Sequence, residues 1–412
     1  MKIYLILVFF GYLFTVITGY WLKFLNLRYL KKYGATVPPE FEGQINKELL
    51  RKTRSYTIEN SRFSIFKSVF DNVVLVVFLF GGLLNIFNSW ISSLGWHFIL
   101  SGLAFFFVLF CAETVISIPF SLYSTFRIEN KYGFNTQTPK LWLTDFFKSI
   151  LLSAVLTGIL VSAGLWLVDT NPYYWWLWVW VFFLCFSLFI MYISPYVIEP
   201  LFNKFTPVED EELKQKIKDL AQKAGIKVSS ISKMDASKRS RHTNAYFSGI
   251  GRVKRIILYD TLLEKMNSEE IIAVLAHEIG HWKKRHVLKR IVVSEIIALA
   301  ALYISFTILQ SDFLLKLFSI ETESFFAKIV ILGFFAGIIS FFFNPLFCYF
   351  SKRHEREADR FATELTGDAE SLAISLVKLS KDNLSNLHPH PLYAAFYYSH
   401  PPVVQRIREI RS

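Results

Sequence analysis

Two histidines stand four residues apart in the stretch 273–281, with a glutamate directly after the first: His277, Glu278 and His281. On a helix that spacing is one turn plus about 40°, so both imidazoles face the same way and can share one divalent metal. Glu278 is then rotated about 100° to the side, near enough to take a proton from a water on the metal. This is the H-E-x-x-H pattern of zinc hydrolases. With 9 histidines in 412 residues, an accidental match somewhere in the chain has a chance on the order of one in a hundred. Two metal-free histidines on a helix surface fit poorly. Ile271, Ile272, Val274 and Leu275 make the preceding turn apolar, and burying an unpartnered histidine pair is costly.

A catalytic zinc site takes three protein ligands and keeps a fourth position for water. Two later stretches can supply the third. Residues 351–362 place Glu355 and Asp359 one turn apart on one helical face, and the C-terminal stretch carries Ser399, His400, Pro401 and Pro402, with Arg406 close behind. Glu355 and Asp359 make chemical sense together, because a ligating carboxylate can be followed by a carboxylate that orients a ligand histidine from behind. Arg356 and Glu357 fall on other faces of that helix and read as exposed charges.

The elements that must position these groups are largely membrane helices. The chain is 53% hydrophobic and 17% aromatic. Apolar runs at about 3–22, 70–90, 97–120, 146–168, 174–198, 288–310 and 325–350 make seven candidate spans. Tyr20, Trp21 and Leu22 stand where a cleaved signal would need small residues, so the first run reads as a retained anchor. The net charge is +12, and ten lysines and arginines lie between the first two runs, at 23, 28, 31, 32, 47, 51, 52, 54, 62 and 67. The connections near 91–96 and 169–173 have none. The positive-inside rule then puts the first loop, the third loop, the 204–287 segment and the C-terminus in the cytoplasm. Orientation accounts for the basic charge, so nucleic acid is not an expected partner; the lipid bilayer is. Cys111, Cys185 and Cys348 lie in apolar runs and read as packing residues. Glu113 and Glu295 also lie in apolar runs and fit either a hydrogen bond between helices or a polar cavity lining.

Residues 1–203 form a membrane region with five spans, and 204–412 form a peptidase region that includes spans six and seven. Within the second region, residues 209–225 have the spacing of an amphipathic helix. Residues 244–248 and 255–260 are strand-like. Asn267 or Ser268, followed by Glu269 and Glu270, can start the metal helix. The soluble part is a small α+β insert that must lean on the membrane helices.

Several stretches resemble the membrane-embedded CAAX prenyl protease type 1 family. In the membrane half they are Pro119 to Tyr123 running on to Gly133, Phe134 and Asn135, and Pro200 to Pro207. In the catalytic half they are Ser237 to Ser240, then His242, Thr243, Asn244, Ala245 and Tyr246, then Asp260 to Leu263 and the metal helix. The resemblance implies zinc held by His277, His281 and Glu355, with Glu278 as base and Asp359 behind a ligand. It implies that Asn244, Ala245 and Tyr246 lie on the strand that pairs with substrate backbone. It also implies that His400 stabilises the oxyanion and that Arg406 supports the site. The implied fold is an all-α membrane protein, seven transmembrane helices around a large internal chamber, with a small α+β zinc metallopeptidase insert. Lys352 stands where the family commonly has arginine, and His390 where aspartate is common between two prolines.

The expected activity is an integral membrane zinc metalloendopeptidase, one Zn2+ per chain, cutting near the C-terminus of prenylated (CAAX-type) or other membrane-associated peptides and proteins. The alternative enzyme is a heat-shock-type quality-control metallopeptidase, which typically has fewer spans. A channel or scaffold with a structural metal fits less well, because a structural zinc site is closed by a fourth protein ligand and has no use for Glu278. The last residues, Ile410, Arg411 and Ser412, form no retrieval signal. That favours a bacterial cytoplasmic membrane over the endoplasmic reticulum of a eukaryote.

Overall fold

The computed structural model describes residues 1–248 and 253–412. Among these, seven helices are long and apolar enough to cross a membrane: Lys2–Tyr33, Lys47–Phe80, Phe98–Tyr132, Pro139–Thr170, Trp175–Phe202, His286–Leu309 and Phe325–Thr366. No more than 28% of the most apolar stretch of any of them is buried within the protein. Neighbouring spans touch along part of their length, as where Trp175 and Val179 pack with Leu309 and Trp180 Nε1 donates to the Glu295 carbonyl at 3.1 Å, and the rest of each apolar stretch meets something other than protein. Glu113 is exposed and Glu295 half-buried, and neither side chain makes a helix-to-helix hydrogen bond among the described residues.

The second span differs from the sequence expectation. It ends at Phe80, ten residues early, because Gly81 and Gly82 break the helix and Gly82 takes φ +84. The apolar residues beyond form a separate helix, Leu83–Ser93. Leu84 and Ile91 of that helix pack with Leu314 and Leu317 from the connection between the last two spans. Asn88 Nδ2 donates to the Thr322 carbonyl at 3.0 Å. One end of the molecule is therefore closed by the second and last interspan connections.

The site lies towards the other end. A four-stranded sheet runs in the order β1 (Phe205–Pro207), β2 (Lys227–Met234), β4 (Val253–Tyr259), β3 (Ala245–Ser248), with only β2 and β4 parallel. β3 is thus an edge strand. β1 and β2 escape sequence reading because β1 has three residues and β2 carries three serines and two lysines. The helix Glu211–Lys223 and the metal helix Ser268–Lys283 share one apolar core with the sheet, built on Ile217, Ile256, Leu258, Ile271 and Leu275.

Membrane and soluble parts are joined by hydrogen bonds at this end. The third loop pairs with the segment before β3: Arg241 N–H donates to the Phe134 carbonyl at 3.0 Å, and Thr136 Oγ1 to the Ser237 carbonyl at 2.7 Å. Arg239 clamps Asp145 with two hydrogen bonds, 2.8 and 3.0 Å. The first loop packs Phe41, Ile45 and Leu50 against Ala373, Leu376, Val377 and Ile407 of the C-terminal helices. Both stretches with membrane-half family resemblance contain a π-helical turn or adjoin one, at Ser124–Glu129 and Ser194–Ile198. Such turns often mark functional positions. At the second, the Pro195 carbonyl accepts from Arg255 at 2.8 Å.

Candidate active site and metal centre

The metal helix starts with a reciprocal cap. The Asn267 side chain accepts from Glu270 N–H at 2.9 Å, and the Glu270 carboxylate accepts from Asn267 N–H at 3.0 Å. That fixes the helix against the sheet ten residues before the first candidate ligand. The glutamate helix, Phe325–Thr366, has 42 residues and so reaches about 63 Å, roughly twice the hydrocarbon thickness of a bilayer. Its membrane part lies N-terminal and its last turns carry Glu355 and Asp359. The two helices cross at Gly280. A Cβ there would lie 3.0 Å from the Ala358 Cα and carbonyl oxygen, so glycine sets how closely Glu355 approaches the histidines.

At this crossing the two histidine Nε2 atoms are 3.1 Å apart. Glu355 Oε2 lies 3.4 Å from His277 Nε2, and Oε1 lies 3.2 Å from His281 Nε2. Ligand atoms about 2.0–2.1 Å from a tetrahedral ion are about 3.3 Å from one another, so the donor set fits one metal ion. Glu355 Oε2 is buried and receives no hydrogen bond. Three carboxylates, Glu278, Glu355 and Asp359, meet one guanidinium, Arg406, which leaves two negative charges for a dication to neutralise. The same pull raises the His277 pKa to about 9: burial works against the charge, and the Asp359 and Glu355 hydrogen bonds outweigh it.

The groups behind the ligands are ordered. His277 Nδ1 is 2.8 Å from Asp359 Oδ1. Arg406 holds that carboxylate with two hydrogen bonds, Nε to Oδ2 at 2.9 Å and Nη2 to Oδ1 at 2.7 Å. Glu278 is half-buried, and its pKa is raised by burial, with the neighbouring histidines pulling it down. Its carboxylate has no hydrogen-bond partner among the described residues, so it is free to act on a substrate water. His400 Nε2 lies 3.3 Å from Glu355 Oε1, in a cleft of about 490 Å3 shared with Leu376, Asn383, Tyr398 and Arg406. Its side chain is 61% exposed in that cleft, so the ring is open to an incoming substrate.

Six of the sequence-predicted residues, His277, Glu278, His281, Glu355, Asp359 and Arg406, therefore meet at one crossing with His400 beside them. Asn244, Ala245 and Tyr246 lie at the edge strand, a separate part of the sheet that packs on the metal helix. The Asn244 carbonyl accepts from Tyr259 N–H at 3.2 Å, and the Tyr246 hydroxyl donates to Glu199 Oε2 at 2.9 Å. Tyr246 is thus held from the membrane side, and beside it the Ala245 N–H donates to Asn244 Oδ1 at 2.9 Å. Three further groups support His400, of which the sequence marks Cys348 only as a packing residue and Lys352 only as a family departure, and Asn344 not at all. Asn344 Nδ2 donates to the Phe396 carbonyl at 2.6 Å, Cys348 Sγ also faces that carbonyl, and Lys352 Nζ donates to the Ala394 carbonyl. This stripe grips the C-terminal carbonyls of the short helix Pro391–Tyr397, which leads directly to His400. The i, i+4, i+8 spacing of polar groups on an apolar helix was the available signal. Glu357 is not simply an exposed charge: it accepts from His286 Nε2 at 3.1 Å and from Arg353 Nε at 3.0 Å.

Comparison with known proteins decides the family. Residues 26–204 match the model described as CAAX prenyl protease N-terminal, five membrane helices, and residues 207–412 match peptidase family M48. The chain is 35% identical to a CAAX prenyl protease 1 homolog of Arabidopsis thaliana, with 96% of each chain covered. This chain belongs to the CAAX prenyl protease 1 family of M48 peptidases. CAAX prenyl protease 1 of Saccharomyces cerevisiae is 35% identical, over 93% of this chain and 91% of that one. The crystal structure of S. mikatae Ste24p superposes with a TM-score of 0.89 at 31% identity, covering 97% of both chains. Family membership makes the protein a multi-pass membrane metalloprotease, and the donor set at the helix crossing suits its metal.

Proposed function

We propose that the protein is a zinc endopeptidase that cuts near the C-terminus of isoprenylated or otherwise membrane-anchored peptides, one Zn2+ per chain held by His277, His281 and Glu355. The carrying observation is the donor triad with an unpartnered Glu278 beside it, on a helix that packs under an open strand edge. Two imidazoles and one carboxylate form a donor set that suits zinc and leaves room for substrate. Zinc, when bound there, supplies a Lewis acid for the scissile carbonyl.

The remaining chemistry belongs to the chain. Substrate backbone adds to the free edge of β3 at Asn244, Ala245 and Tyr246, which orients the scissile bond. Glu278 takes a proton from the attacking water and returns it to the leaving amine; its raised pKa suits both transfers. His400 donates towards the oxygen that gains negative charge as water adds. Asp359, fixed by Arg406, holds the His277 ring in the orientation that presents Nε2.

A substrate lipid adds binding. Each CH2 moved from water to an apolar surface contributes about 0.8 kcal/mol, less the costs of association and prior membrane partitioning. The test is a matched pair of C-terminal peptides, farnesylated and unmodified, at equal free concentration in detergent. The farnesylated peptide should be cut faster, without an absolute requirement for the lipid. Equal rates would replace this reading with quality-control proteolysis.

A further inference from the structure

One buried histidine beside the site takes no part in the mechanism above. His286 is fully buried, with none of its side chain open to solvent. Its Nδ1 lies 3.1 Å from Nδ1 of the candidate ligand His281, and its Nε2 lies 3.1 Å from Glu357 Oε2. Its ring stacks on that of His354, centroids 4.1 Å apart and planes within 12°. An unbroken helix could not bring this about, because residue i+5 falls about 140° round from residue i. The chain instead breaks between the metal helix and the sixth span. Arg285, a non-glycine residue, takes φ 57 and ψ 34 there, and the next helix begins at His286. Such a left-handed residue costs energy unless its surroundings impose it. Here the turn brings His286 back under His281.

We infer that His286 is a positioning residue for His281, the middle member of a hydrogen-bond chain from His281 through His286 to Glu357. This rests on the reading of His281 as a metal ligand. The hydrogens balance at each link. An imidazole that presents Nε2 to a metal carries its proton on Nδ1. That N–H donates to His286 Nδ1, which must then be an acceptor. His286 keeps its own proton on Nε2 and donates it to the Glu357 carboxylate. Every nitrogen and the carboxylate oxygen are satisfied with both histidines neutral. The two histidine ligands are thus backed differently: His277 by Asp359 directly, and His281 by Glu357 through a second imidazole.

A partner of this kind fixes the tautomer and the ring angle, and its loss typically weakens metal binding 10–100-fold. The experiment uses the full-length protein in detergent and zinc alone as probe, with its dissociation constant read by competition against a chromogenic chelator. His286→Phe keeps a ring to stack on His354 and removes both nitrogens. It should weaken zinc binding by about 10–100-fold, while the thermal midpoint of the zinc-free protein stays near that of the parent. His286→Asn restores an acceptor at the δ position and should recover most of the loss. Glu357→Gln, at a partly exposed position, should weaken binding in the same direction and carries the test should His286→Phe fail to fold. Unchanged affinity in His286→Phe, or in Glu357→Gln where it stands alone, overturns the proposal. So does a loss that follows apo stability and that His286→Asn does not recover. Failure of the parent protein to bind zinc would overturn the metal reading itself, a result distinct from parent and variants binding alike.

Discussion

His242 shows how a single side chain ties the membrane half to the catalytic half. Its Nδ1 is 2.8 Å from Asn383 Oδ1, its Nε2 3.3 Å from Glu129 Oε2, and Phe134 stacks on its ring at 4.1 Å. Burial lowers its pKa, but the hydrogen bonds to Glu129 and Asn383 outweigh this, and the net shift is upward. A group whose folded pKa exceeds its unfolded value of about 6.5 stabilises fully below that value, and the contribution is lost as pH rises through the folded pKa. The thermal midpoint of the parent should therefore exceed that of His242→Gln by most below about pH 6, and the gap should narrow as pH rises above 7. A gap constant across that range would show that the histidine's charge contributes nothing. At this scale the sequence is informative where chemistry depends on spacing along one helix. His277, Glu278, His281, Glu355 and Asp359 could all be picked out that way. His286 could not, since its contact with His281 depends on the left-handed turn at Arg285.

Among the elements, the crossing of the metal helix and the glutamate helix matters most. Gly280 sits at its closest point, against the Ala358 backbone. Adding one methyl group there must push the helices apart or strain them, at a cost of about 1–3 kcal/mol. The same shift moves Glu355 away from His277 and His281. Gly280→Ala should thus retain less metal through gel filtration than the parent, while Gly333→Ala, on the membrane part of the glutamate helix with open space at its Cβ position, should retain it all. Equal metal content in the two variants would show that the crossing distance does not govern the site. Apolar length revealed the membrane helices, and cap chemistry at Asn267 revealed the start of the metal helix. The boundary at Gly81 and Gly82 was hidden by apolar residues on both sides. β2 was hidden by its polar content, because a strand paired on both sides gains its stability from neighbours that its own sequence does not specify.

For the whole molecule, the arrangement of its ends matches the charge bias of its sequence. The first and third loops, the sheet and the C-terminal helices gather at one end, and the connections at 81–97 and 310–324 close the other. In a background without native cysteines, Ser93→Cys should react with an impermeant reagent from the outer face of the membrane and Lys214→Cys only from the cytosolic face. Labelling of both from one face would overturn the threading. How little of the spans the protein itself buries was not legible from composition, which reports apolar surface without saying whether it meets lipid, protein or an internal space. The central claim, that this membrane protein is a metal-dependent peptidase with Glu278 as its base, is tested most directly by comparing parent and Glu278→Gln for bound zinc and for hydrolysis of a farnesylated C-terminal peptide. Both should carry one zinc per chain, and the variant should lose at least about two orders of magnitude in turnover. Near-parental turnover by zinc-loaded Glu278→Gln would contradict the account.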